Sequence, residues 1–183
     1  METDKLLQAE IRVLNIGLRD WAYGLTKDVP LPDTEALKTA RARFSSYPNG
    51  SKPPFVLTGD EISGQAYWHG EMLTKRYAKL TTDFSGGKSR FVMTAMEDTG
   101  VANALRRLTA VGKADYDRLI VLRTASNYSQ QAPGESPVDS MNRPYAGVGD
   151  AAAYAARVVA GKVVDELSGD WVKYRDKIPG DGK

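Results

Sequence analysis

Leu119-Ile120-Val121-Leu122 is the clearest strand that the sequence predicts. It is a short apolar run of the kind found in parallel sheets that helices cover on both faces. On its N-terminal side, two further strands are predicted at 55–57 and 90–96. Helices are predicted at 5–27, at 34–46, at 62–80, between Asp98 and Gly112, and at 151–171. Strands that alternate with helices indicate an α/β fold.

The domain organisation follows from the length and from the small number of strands. The 183 residues are predicted to form one α/β domain over 1–178, followed by a disordered tail at 179–183. Three strands are few for a freestanding α/β domain, and the chain begins with helices, so this domain is predicted to be partial. Residues 127–149 are polar and rich in Pro and Gly, which is typical of either a functional lid or a disordered segment.

Composition excludes several classes of site and partner. The chain has no cysteine and one histidine, which excludes disulfides, thiolate sites and a His-rich metal site, so no metal is predicted. Its net charge of +2 is spread along the sequence, so no nucleic-acid partner is predicted. No apolar run approaches the ~20 residues of a membrane span, and the first ten residues lack the pattern of a signal peptide. A soluble protein is expected, with its compartment left open.

Polar residues follow the predicted strands at the points where the strands end. Asp60 follows the first, Glu97 follows the second, and the segment from Arg123 to Asn127 follows the third. In an open α/β sheet, ligands bind at the carboxyl ends of the strands. The sequence therefore predicts one crevice that Asp60, Glu97, Arg123, Ser126 and Asn127 face together.

Ordered motifs carry a family resemblance. The segments VLTGD (56–60), TAME (94–97) and LRTASN (122–127) resemble the last three signature segments of the nucleoside phosphorylase superfamily, in the same order. The stretches YWHG (67–70) and MEDTG (96–100) are similar to its purine nucleoside permease branch. The resemblance runs from about residue 12 to about residue 172. It implies the C-terminal part of a nucleoside phosphorylase-like sheet with flanking helices.

The resemblance implies roles for three residues. Glu97 would hold the ribose hydroxyls, since a carboxylate accepts hydrogen bonds from both vicinal hydroxyls. Met96 would pack against the sugar. Asn127 would contact the purine and is the implied catalytic residue, although an amide cannot itself deliver a proton and fits 6-oxopurines better than adenine. The implied reaction is N-glycosidic bond cleavage, with water or the co-substrate phosphate as acceptor and no cofactor.

The remaining candidate substrate contacts are Asp60, His69, Arg123 and Ser126, and each has a structural alternative. Asp60 suits a turn, and a lone histidine is commonly packed or solvated. Arg123 suits an internal ion pair with Glu97 or Asp60, and Ser126 suits a local hydrogen bond. Glu97 also suits the start of a helix, where a carboxylate interacts favourably with the helix dipole.

Three functional hypotheses remain open at this point. The first is a purine nucleoside phosphorylase or hydrolase that needs a missing N-terminal half or a partner chain, because no glycine-rich phosphate loop precedes the first helix. The second is a non-catalytic nucleoside-binding protein linked to nucleoside uptake. The third is a truncated homologue with a structural role. In each case a homo-oligomer is expected, and the ligand of the first two is a purine nucleoside.

Overall fold

The structure, a computed structural model, describes residues 11–181. In chain order the described residues form α1 (Ile16–Thr26), α2 (Glu35–Ala42), β1 (Asp60–Ser63), α3 (Glu71–Phe84), β2 (Phe91–Ala95), α4 (Asp98–Ala110), a 3-10 turn (Tyr116–Arg118), α5 (Pro137–Met141), α6 (Val148–Gly169) and α7 (Trp171–Arg175). The fold is therefore mixed, with helices around a small parallel sheet.

The sheet of the described region consists of β1 and β2. The two strands run parallel, with Ser63 opposite Ala95 at their carboxyl ends. Parallel neighbours need a crossover connection, which α3 supplies. Gly59 enters β1 so close to β2 that a Cβ there would lie 2.3 Å from a methyl carbon of Val92. The pairing brings the carboxyl ends of both strands to the same edge.

Of the three predicted strands, only the one at 90–96 is confirmed, as β2 (Phe91–Ala95). The predicted strand at 119–122 is wrong: the chain is extended at Leu119 but joins no ladder in the described region. The prediction at 55–57 is also wrong, because the strand begins later, at Asp60. An apolar, β-branched run fits any buried extended segment, whereas a strand also requires a hydrogen-bonded neighbour. The described residues do combine helices with a parallel sheet, as an α/β fold requires. A nucleoside phosphorylase-like sheet stays a prediction.

Helix starts follow their capping residues. Thr34 caps α2, which lies within the helix predicted at 34–46. The first helix begins at Ile16, after the cap Asn15, and not at residue 5; residues 11–15 are not helical, and 5–10 lie outside the described residues. The helix predicted from residue 62 begins only after Gly70, whose φ of +115° is incompatible with a helix.

Aromatic packing holds the segment after residue 127 against the helices. Phe44 is 1% exposed and stacks on Tyr128 with ring centroids 3.6 Å apart. The Tyr128 hydroxyl donates a hydrogen bond to the backbone oxygen of Gly50 at 2.8 Å. Within the polar stretch 127–149, Ser136 caps the short helix α5. This stretch therefore carries helical structure of its own and anchors into the core.

The end of the described chain packs against α1. Pro179 is buried, and Asn15 donates a hydrogen bond to the Asp181 carboxylate at 3.2 Å. Gly180 has a φ of +85°, and a Cβ there would lie 2.1 Å from the backbone oxygen of Gly17. Residues 179–181 of the predicted disordered tail thus contact the start of α1, while 182 and 183 lie outside the described residues.

Candidate functional site

A crevice of about 230 Å³ opens at the carboxyl end of β2. Three segments form it: the end of β2 with the two residues after it, the segment that follows 119–122, and the link between β1 and α3. The lining residues are Ala66, Tyr67, Trp68, Met93, Thr94, Ala95, Met96, Glu97, Arg123, Thr124, Ser126 and Asn127. The site therefore lies at the sheet edge where a ligand is expected in an α/β fold.

Five of the residues singled out from the sequence line this crevice together. They are Met96, Glu97, Arg123, Ser126 and Asn127. The segment at 119–122 delivers the last three even though it is not a sheet strand, because an extended chain directed at the same edge is sufficient. Their individual roles toward a ligand stay predictions.

Asp60 does not join them. It lies at the amino end of β1, opposite the crevice end, because the strand begins at this residue. Its carboxylate accepts a hydrogen bond from the backbone N–H of Arg90 at 2.6 Å, and its own N–H donates to the Arg90 oxygen at 2.7 Å. Asp60 therefore fastens the start of the sheet, and the expectation that it faces the crevice is wrong.

His69 is also absent from the crevice lining. It lies in the link just before α3, and burial lowers the pKa of His69, with a partial offset from the nearby Glu135 carboxylate. Its neighbour Trp68 does line the crevice, and its ring lies 4.6 Å from that of Tyr77 on α3. Trp68 is thus both a packing residue and an aromatic wall of the site.

Arg123 bridges two carboxylates at the crevice. Its Nη2 lies 2.7 Å from Glu97 Oε2, and its Nε lies 2.5 Å from Asp98 Oδ2. The hydrogen bond from Arg123 lowers the pKa of Glu97, so Glu97 is ionised at neutral pH. The ion pair with Glu97 matches one structural alternative predicted for Arg123. The pair with Asp98 was not predicted.

Glu61, like Asp98, lies next to the crevice residues and was not predicted from the sequence. It hydrogen-bonds to Asp98, and burial is the main cause that raises the pKa of Glu61 to about 7. Burial also favours a higher pKa at Asp98, but hydrogen bonds from Arg123 and Glu61 bring the Asp98 pKa below its usual value. A strand placed at 60–63 would have revealed Glu61, because residues 61 and 63 then share the face toward α4.

The first turn of α4 is fixed to β1 at this point. The backbone N–H of Thr99 donates to Ser63 Oγ at 3.1 Å. Glu97 occupies the N-cap position of α4 but makes no side-chain cap hydrogen bond, and its side chain is 65% exposed. Its carboxylate is consequently held by Arg123 near the helix N-terminus, where negative charge is favoured, and it faces outward.

A family comparison matches nearly all of the chain. The family described as purine nucleoside permease (NUP) matches residues 2–179. The chain belongs to this family. Among curated relatives, a purine nucleoside permease of Candida albicans is 29% identical over 170 residues, which cover 90% of this chain and 40% of the relative. A probable purine nucleoside permease of Schizosaccharomyces pombe is 26% identical over 125 residues, 68% of this chain and 36% of the relative.

The chain spans about 40% of the length of the first relative that it matches. No solved structure matches it. Despite the permease name of the family, none of the helices within residues 11–181 combines the length and the apolar character that crossing a membrane requires.

Proposed function

We propose that the crevice binds a purine nucleoside without cleaving it, as the ligand-capturing part of a protein linked to nucleoside uptake. The names of the family and of its relatives support the link to uptake. The observation that carries the binding site is the ionised Glu97, held by Arg123 at the crevice.

The Glu97 carboxylate can still accept hydrogen bonds from a ribose. An ionised carboxylate offers about four acceptor positions. Arg123 Nη2 uses one, and the backbone N–H of Glu97 itself uses another. The remaining capacity suits the two vicinal hydroxyls of a ribose, each a neutral donor to a charged acceptor. Met96, the preceding residue, is 45% exposed and offers an apolar surface for the sugar.

The other side of the crevice suits a purine. Asn127 offers both a donor and an acceptor, a pair that matches a 6-oxopurine edge. Tyr67 and Trp68 provide aromatic surface on which a base can pack. The volume of about 230 Å³ is smaller than the roughly 300–1,000 Å³ typical of sites that enclose drug-sized ligands. A nucleoside bound here would therefore remain partly in contact with solvent, as suits capture and release.

Cleavage of the N-glycosidic bond receives less support from this arrangement. An amide cannot supply a proton to a departing base, and Asn127 is the residue that faces the expected base position. His69, the one imidazole of the sequence, is not among the crevice residues. Capture thus accounts for the crevice residues without requiring Asn127 to supply a proton.

Calorimetric titration with inosine, guanosine and adenosine tests the proposal. Inosine or guanosine is expected to bind more tightly than adenosine, and Glu97→Ala is expected to weaken binding roughly ten- to hundredfold, as for a lost hydrogen bond to a charged group. Glu35→Gln is the matched control, because Glu35 is an exposed carboxylate that pairs with Lys38 on the surface of α2. Equal binding by both variants, or no binding at millimolar nucleoside, would contradict the proposal.

Chromatography of the same mixtures separates capture from cleavage. Inosine is expected to remain intact on prolonged incubation, with or without phosphate. Release of hypoxanthine that depends on Asn127 would overturn the non-catalytic part of the proposal and restore the cleavage hypothesis.

A further inference from the structure

Two carboxyl groups lie directly behind Arg123. Asp98 has a side chain that is 17% exposed, and Glu61 is half-buried on β1. Thr99 N–H donates to Ser63 Oγ at 3.1 Å, so the face of β1 that carries Glu61 lies against the start of α4. Asp98 at that helix start accepts from Arg123 Nε at 2.5 Å. Burial and then a hydrogen bond with Asp98 are the main causes that raise the pKa of Glu61. An ionised carboxylate is an acceptor only, so a hydrogen bond between two carboxyl groups requires a proton on one of them. Two carboxyl groups placed in this way are expected to share one proton.

The surroundings indicate where this proton resides. Glu61 faces Asp98 and Glu97 from the start of α4 and Arg123 from the segment after the 3-10 turn. One cation thus meets three carboxyl groups, and a single proton brings the net charge of the cluster to −1. Burial, the strongest effect at Glu61, together with the ion pair of Asp98 with Arg123, places the proton on Glu61 at or below neutral pH.

We infer that Glu61 and Asp98 are positioning residues that hold Arg123 against Glu97, and that nucleoside binding is therefore linked to the proton they share. The inference rests on the proposed function, because it concerns the same crevice. Neither residue lines the crevice, and both act through Arg123.

Nucleoside binding is linked to this proton because the carboxyl groups compete for the guanidinium group of Arg123. With the proton present, Glu61 donates to Asp98, Asp98 holds Arg123 Nε, and Nη2 is left for Glu97. Without it, two adjacent carboxylates repel each other, and an ionised Glu61 attracts Arg123 away from Glu97. Glu97 then loses the contact that fixes its carboxylate for the ribose, so the affinity for the nucleoside falls as the pH rises.

The test is titration of the wild-type chain with inosine at pH 5.5, 6.5, 7.5 and 8.5, beside Glu61→Gln and the control Glu35→Gln. The wild type and the control are expected to bind roughly tenfold more weakly at the highest pH, as for a change of about one pKa unit at Glu61 on binding. Glu61→Gln is expected to bind equally well at every pH, because its amide N–H donates to Asp98 permanently. Parallel pH profiles for the wild type and Glu61→Gln would overturn the inference.

A second variant and a second measurement keep the inference separate from the proposed function. Asp98→Asn is expected to weaken binding at every pH, since Arg123 loses its charged anchor. Carboxyl NMR titration of the free chain is expected to show a group with a pKa near 7 that is lost in Glu61→Gln. If no nucleoside binds but this titration is seen, the proposed function fails and the proton-sharing pair stands. If Glu61 titrates near 4.5, the inference fails whatever binds.

Discussion

Replacement of Glu61 by Gln is expected to remove a pH dependence from the stability of the fold. The pKa of Glu61 is raised from its usual 4.5 to about 7 in the folded chain, chiefly by burial. The folded state therefore binds this proton more tightly than the unfolded state does. The associated stability is fully present below pH 4.5 and is lost as the pH rises to about 7.

The size of this effect can be bounded. One pKa unit corresponds to about 1.4 kcal/mol, so the raised pKa sets a ceiling of about 3 kcal/mol on the loss. Glu61 is only half-buried, and water screens its neighbours, so a loss of about 1–2 kcal/mol is expected between pH 5 and pH 8. Gln carries no titrating proton and keeps the donor to Asp98, so the variant should not show this loss.

Urea unfolding at pH 5 and pH 8 measures the difference, with Glu35→Gln as control. The decisive quantity is the change in unfolding free energy between the two pH values in the wild type, minus the same change in Glu61→Gln. This subtraction removes the opposing effect of His69, whose lowered pKa contributes stability that is present at high pH and is lost as the pH falls. A difference of zero between the two proteins would show that the Glu61 proton does not contribute to the pH dependence of stability.

Two further predictions concern packing. Gly180→Ala is expected to destabilise the chain more than Gly134→Ala, because both glycines have positive φ, worth about 1–2 kcal/mol against Ala, but only Gly180 would also clash with the Gly17 oxygen; equal losses in thermal melts would mean that the chain end is not docked on α1. Phe44→Ala is expected to cost about 3–5 kcal/mol in urea unfolding, because the ring is fully buried against Tyr128; Phe44→Leu should cost clearly less, and equal losses would argue against ring stacking.

The site was easier to predict than the sheet. Glu97 and Asn127 come together because each follows an extended segment that ends at the same edge, and apolar runs locate such segments well. A β-ladder requires two segments that hydrogen-bond to each other. The sequence therefore predicted that the chain at 119–122 leads to this edge, but it could not predict whether a neighbouring strand pairs with it. The same limit explains Asp60: moving the strand from 55–57 to 60–63 transfers this residue from the expected carboxyl end to the amino end.

The failure to predict Glu61 has the same cause, the position of β1 in the sequence. Glu61 falls between the predicted strand at 55–57 and the predicted helix at 62–80, so nothing in the sequence marked it as facing Asp98. Once it is assigned to β1, the alternation of a strand places it toward α4, next to the predicted site. Burial is the main cause of its raised pKa; Asp98 and Glu97 raise the pKa further, and Arg123 lowers it. These three neighbours are 36 to 62 positions away in the sequence, so this environment exists only in the folded chain.

Asn127 and Tyr128 are consecutive in the chain, yet one faces the crevice and the other is stacked in the interior. A single peptide unit thus connects the residue expected to read the base with the Phe44 ring and with the backbone of Gly50. A substitution at Phe44 that shifts the Tyr128 ring is therefore expected to shift Asn127 as well, although no crevice residue is itself substituted. Divergence in ligand preference among relatives is therefore expected to leave traces in the interior as well as at the surface of the crevice, and mutational libraries aimed at changing that preference should include these core positions.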